Sequence, residues 1–78
     1  MKQALRADRV HWIHGEPESS FDADVQIRYR HGGAQARITP AHDGFVAEFG
    51  DAQRAITPGQ AAVVYRGDEV LGGGFIAT

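Results

Sequence analysis

Ten glycines and three prolines divide this 78-residue chain into short segments, in which apolar and polar residues alternate. Alternation with a period of two is the pattern of β-strands that bury one face. The clearest case is residues 23–30, where Val25, Ile27 and Tyr29 fall on one face and polar side chains fall on the other. No segment keeps helical spacing over three turns, so a helical domain is excluded.

The alternating segments predict six strands. They are expected at about residues 9–14, 23–30, 34–39, 45–49, 61–66 and 69–77. Turn signals separate them: Gly32-Gly33, Pro40 as the end of the third strand, Asp43-Gly44, a type II turn at Thr57-Pro58-Gly59-Gln60, and Gly67-Asp68.

Short strands joined by tight turns indicate an all-β fold. A small antiparallel six-stranded β-barrel is favoured over an open sandwich, because a closed sheet leaves no edge for pairing with other chains. We expect the domain to span residues 9–78. Residues 1–8 are expected to be a flexible N-terminal segment, with at most one helical turn, or the edge left by excision from a longer protein.

The charge, the composition and the missing motifs exclude several classes of function. The net charge is −2, whereas free-standing nucleic-acid binders are usually basic. The absence of cysteine excludes disulfides, thiolate metal sites and a cysteine nucleophile within this chain. His11 and His14 would point to opposite sides of a strand, so no metal site is expected. No apolar run approaches the ~20 residues of a membrane helix, and no nucleophile or carboxylate pair stands in a catalytic setting.

Two features remain as candidates for binding. Arg28 and Arg30 share the outer face of the second strand beside a turn, where contact with phosphate and ion pairing with Asp24 both fit the spacing. Gln60 follows a rigid turn, from which its amide can read a base or sugar edge or can cap the turn.

Three segments then follow one another in a specific order. They are RYR at 28–30, AITPGQAAVVY at 55–65 and GDEVLGGGFI at 67–76. VHWI at 10–13 and Phe49 fit the same pattern in order. Together they resemble the C-terminal β-barrel domain of the tRNA-specific 2-thiouridylases (MnmA/TrmU family), over residues 9–77.

The resemblance implies an accessory domain of a larger sulfurtransferase that thiolates the wobble uridine of tRNA. In that family, an upstream ATP-binding domain and two cysteines perform the chemistry. This chain alone is therefore expected to be inactive and to need no cofactor, although the parent enzyme would use ATP. The expected partners are tRNA, the catalytic domain of the parent enzyme and a sulfur-relay protein. A monomer in the cytoplasm, without membrane contact, is implied.

By motif position, the resemblance implies RNA contacts at Arg28, Tyr29 and Gln60. The period-two pattern agrees for Arg28 but places the Tyr29 ring in the core, which leaves its hydroxyl or backbone for a ligand. The glycines at 72–74 are expected to be structural, allowing a bulge or a close backbone approach where the barrel closes. The alternative is an interaction module that docks on the catalytic domain or on a sulfur-relay partner without reading RNA.

Overall fold

Six antiparallel strands make up the fold in the computed structural model, which describes residues 2–27, 33–54 and 56–78. They are β1 (Lys2–Trp12), β2 (Phe21–Gln26), β3 (Ala34–Ala41), β4 (Gly44–Gln53), β5 (Ala61–Arg66) and β6 (Glu69–Ile76). Their order in the sheet is β1-β4-β3-β2-β5-β6, and β6 pairs back onto β1 to close a barrel. The predicted six-stranded antiparallel barrel is confirmed.

The core fills the inside of the barrel with alternate residues from every strand. Its largest fully buried side chains are Phe45, Ile38, Val25 and Val64. The half-buried Trp12 packs its ring 5.7 Å from the Phe45 ring. Alternation with period two sends every second side chain of β3 and β4 to the core, where Ala36, Ile38, Phe45, Ala47 and Phe49 are buried.

The first strand begins earlier than predicted. It starts at Lys2 rather than at residue 9 and pairs with β4, with Leu5 and Ala7 buried. The strand start predicted at residue 9 was therefore wrong, and residues 2–8 form part of a strand rather than a helical turn. The alternation is short here and is then broken at Arg9, where φ is +51° and the register with β6 shifts. This is a β-bulge, in which one extra residue interrupts the pattern.

The hairpin between β3 and β4 also differs from its prediction. Pro40 does not end its strand but pairs with Phe45, and the turn is formed by residues 42–43. Asp43 adopts a φ of +59°, while Gly44 is the first residue of β4. Proline lacks only one backbone N–H. The sheet tolerates this loss at Pro40, because the Pro40–Phe45 pair lies next to the residue pair that closes the turn. Of the turn predicted at 32–33, Gly32 lies outside the described residues.

Gly72 and Gly74 allow β6 to lie close against the bulged part of β1. A Cβ at Gly74 would lie 2.6 Å from the Asp8 carbonyl oxygen, and one at Gly72 would lie 2.6 Å from Cε3 of Trp12. Atoms at such distances would overlap, so any side chain would force the two strands apart. The predicted structural role, a close approach where the barrel closes, is confirmed.

Candidate nucleic-acid interface

The turn at residues 57–60 has the geometry that its sequence predicts. The Gln60 backbone N–H donates to the Thr57 carbonyl over 3.2 Å, and Gly59 has a φ of +92°. A type II turn requires positive φ at its third residue and favours proline at its second. Pro58 and Gly59 meet these two demands, so the turn is preorganised.

Backbone hydrogen bonds fasten this turn to β6. The Gly59 N–H donates to the Ile76 carbonyl over 2.8 Å, and the Ile76 N–H donates to the Gln60 carbonyl over 2.8 Å. Ile76 is buried in the core. The position of Gln60 is therefore set by the barrel rather than by a free loop.

The Gln60 side chain contains a polar atom with no partner among the described residues. Its amide oxygen Oε1 is buried and makes no hydrogen bond there, although the residue as a whole is partly exposed. A buried acceptor left unpaired costs about 1–3 kcal/mol. Most buried polar groups are satisfied, so an exception requires a reason, such as a ligand that completes the bonding.

The other two predicted site residues, Arg28 and Tyr29, lie outside the described residues, as does Arg30. The described residues resume at Gly33, immediately before β3. The Gly33 N–H donates to the Tyr65 hydroxyl over 2.7 Å. A Cβ at Gly33 would overlap that hydroxyl, so a larger residue there would have to displace the tyrosine ring.

The motifs in the sequence did not predict the role of Tyr65 as the hydrogen-bond acceptor for Gly33. Tyr65 closes the AITPGQAAVVY segment, but its link to residue 33 joins two parts of the chain that are far apart in sequence. The available signal was its position on the outer face of β5, where the flanking Val64 is buried and Tyr65 is not. An aromatic side chain on an outer face has a use other than filling the core.

Two of the described arginines are engaged by the barrel itself. Arg37 Nε lies 3.7 Å from Asp22 Oδ1, and Arg66 Nη2 donates to the Asp22 carbonyl over 3.1 Å. The groove of about 550 Å³ beside them is also lined by Asp24 and Glu48. With acids and arginines mixed along it, this groove is a poor phosphate site.

The described part of the chain contains no group of three His, Asp or Glu side chains able to hold a metal ion. His14 Nε2 instead lies 3.1 Å from Glu69 Oε2, and both side chains are exposed. The same part of the chain contains no helix long and apolar enough to cross a membrane.

Comparison with known proteins places these features in a family. The family model described as the aminomethyltransferase beta-barrel domain matches residues 2–76. The tRNA-specific 2-thiouridylase MnmA of Chlorobium chlorochromatii is 49% identical over 78 residues, covering 97% of this chain and 22% of that protein. The MnmA of Roseiflexus sp. is 47% identical over 78 residues (97% and 21%), and that of Geotalea uraniireducens is 44% identical over 73 residues (92% and 20%). The chain spans about a fifth of the length of the curated relatives that it matches.

Proposed function

Because this chain belongs to the β-barrel domain family of the tRNA-specific 2-thiouridylases, we propose that it positions tRNA for thiolation of the wobble uridine. Activation of the base by ATP and delivery of sulfur fall to the rest of the parent enzyme. This assignment agrees with the lack of cysteine in the chain. Alone, the barrel binds or orients RNA and does not turn it over.

The observation that carries the proposal is the Gln60 side chain. Its turn is fixed by two backbone hydrogen bonds to Ile76, yet its buried amide oxygen has no partner among the described residues. An amide can accept a hydrogen bond from a ribose 2′-hydroxyl or a base N–H and can donate one in return. Bound RNA that reaches this turn would supply the missing donor once the partly exposed side chain turns its oxygen outward. Hydrogen bonds to the 2′-hydroxyl distinguish RNA from DNA.

Arg28 and Tyr29 complete the proposed contact surface. Arg28 supplies a guanidinium for a phosphate, and the Tyr29 hydroxyl or backbone supplies a hydrogen bond. A net charge of −2 does not oppose this role if the other domains of the enzyme supply most of the attraction for phosphate. With about two or three phosphate contacts, a plot of log affinity against log salt concentration should have a slope of about −2.

The test is made in a full-length enzyme that contains this barrel. Arg28→Ala should raise KM for tRNA about tenfold or more, because a charge-assisted hydrogen bond contributes ~1.5–3 kcal/mol, and should leave kcat nearly unchanged. Arg37→Ala is the matched control. It removes the same charge from a side chain that pairs with Asp22, the second residue of β2. Equal KM values for the two variants would contradict the proposal.

A second function, docking on the catalytic domain or a sulfur-relay protein, is favoured by an exposed apolar patch. Ile13 and Val70 are 51% and 46% exposed, and Ile13 is hydrogen-bonded to Leu71, next to Val70. Surface apolar clusters often mark protein contacts. Under this alternative, Ile13→Ser with Val70→Ser abolishes thiolation while Arg28→Ala does not.

A further inference from the structure

Arg9 and Phe75 form a stacked pair on the outside of the barrel. The Arg9 Cζ atom lies 4.5 Å from the centre of the Phe75 ring. Phe75 is 39% exposed, and the Arg9 side chain is 67% exposed. The two planar groups thus present a surface to solvent rather than filling the core.

The backbone at Arg9 is strained. Arg9 has a φ of +51° within a strand, in the bulge where Asp8 pairs with Phe75 and His11 pairs with Gly73. A residue other than glycine in this left-handed conformation costs roughly 1–2 kcal/mol. Backbone strain of this kind is concentrated at functional sites.

This pair is close in the sheet to the proposed RNA contact at Gln60. Phe75 pairs with Ala61, the residue after Gln60, and the next residue, Ile76, is hydrogen-bonded to the Gln60 carbonyl. Resting on the proposed function, we propose that Arg9 and Phe75 are a stacking platform for one unpaired nucleobase of the RNA bound at this turn.

The chemistry of the pair suits a nucleobase better than a carboxylate. Arg9 Nε lies 3.4 Å from Asp8 Oδ1, so its charge is partly offset where it stands. What remains available is the delocalised, weakly hydrated plane of the guanidinium, backed by an aromatic ring. Unpaired RNA bases stack on aromatic rings and on arginine planes, whereas an acidic peptide would need the charge rather than the plane.

The experiment measures the affinity of the 78-residue chain for a fluorescently labelled tRNA with uridine at the wobble position. Phe75→Leu should weaken binding about fivefold or more, the lower end of what one stacked base contributes, while Phe75→Tyr should retain it. Arg9→Lys should also weaken binding but leave the salt dependence unchanged, because the charge is kept and the plane is lost. Val70→Ala and Arg37→Lys are the controls, an exposed apolar residue and an exposed arginine that also faces an aspartate.

The outcomes separate the two proposals. If the unsubstituted chain binds tRNA and the Phe75→Leu variant binds it equally well, the platform is overturned. The tRNA-positioning role then stands. An Arg9→Lys variant with full affinity, beside a weakened Arg9→Gln variant, would show that Arg9 acts as a charge and would also overturn the platform. If the unsubstituted 78-residue chain does not bind tRNA at millimolar concentration, both the platform and the tRNA-positioning role are overturned.

Discussion

Two glycines of the same strand should respond to alanine with opposite signs. An ideal Cβ at Gly44 would overlap the Ala7 carbonyl oxygen and lie 2.9 Å from its carbon and 3.2 Å from the Cα of Asp8. At Gly50, also in β4, no heavy atom lies within 4 Å of the added carbon. The first substitution must push β1 away from β4, and the second meets open space.

The expected sizes follow from these distances. Gly50→Ala should raise the free energy of unfolding by ~0.4–1 kcal/mol, because alanine restricts the unfolded chain. Gly44→Ala forces a carbon into an occupied place, which costs ~1–3 kcal/mol, and each buried backbone group that loses its partner adds ~1–3 kcal/mol. A domain of this size rarely has more than about 3–5 kcal/mol in total. Gly44→Ala should therefore leave much of the chain unfolded at 25 °C.

Urea titration followed by circular dichroism and by Trp12 fluorescence measures both changes. Gly50→Ala should move the midpoint upward with the same slope, which marks a pure change in stability. A Gly44→Ala chain as stable as the parent would refute the close packing of β1 on β4. It would also refute the inclusion of residues 2–8 in the barrel, since Ala7 and Asp8 are the residues displaced.

Three further substitutions test the core and the candidate site. Phe45→Ala should cost ~3–5 kcal/mol, seen as a lower urea midpoint, because this ring is fully buried and packs against Trp12; a loss below 1 kcal/mol would contradict that packing. Tyr65→Phe should cost ~1–2 kcal/mol and speed hydrogen exchange of the Gly33 amide, whose partner is the tyrosine hydroxyl; an unchanged exchange rate would exclude that bond. Gly59→Ala should cost ~1–2 kcal/mol by thermal unfolding, since φ is +92° there, and a neutral effect would argue against the type II turn.

Local patterns were enough for most of the barrel. Alternation depends only on side chains next to each other, and turn residues such as Gly59 and Gly67 act through their own φ, so the strands β5 and β6 could be predicted to within one residue. The start of β1 could not, because the bulge at Arg9 is imposed by pairing with β6, which lies more than 60 positions away in the chain. Pro40 was misread for a similar reason. Its missing N–H matters only if the partner strand needs that bond.

The candidate site was predictable as a set of motifs but not as a geometry. The sequence pointed to Gln60 and its turn, and the structure adds that the amide oxygen is buried without a partner among the described residues. The Tyr65–Gly33 hydrogen bond and the Arg9–Phe75 stack join residues that are 32 and 66 positions apart. No local pattern encodes such contacts, because closure of the barrel is what brings the residues together.

An amide chemical-shift titration of the chain with a tRNA that has uridine at the wobble position, at low salt, tests the RNA-positioning role most directly. Shifts clustered on Arg28, Tyr29 and residues 57–60, together with Arg9 and Phe75, are the predicted result. The absence of any shift would contradict the RNA-positioning role. It would favour the alternative, in which the apolar patch of Ile13 and Val70 docks on another protein.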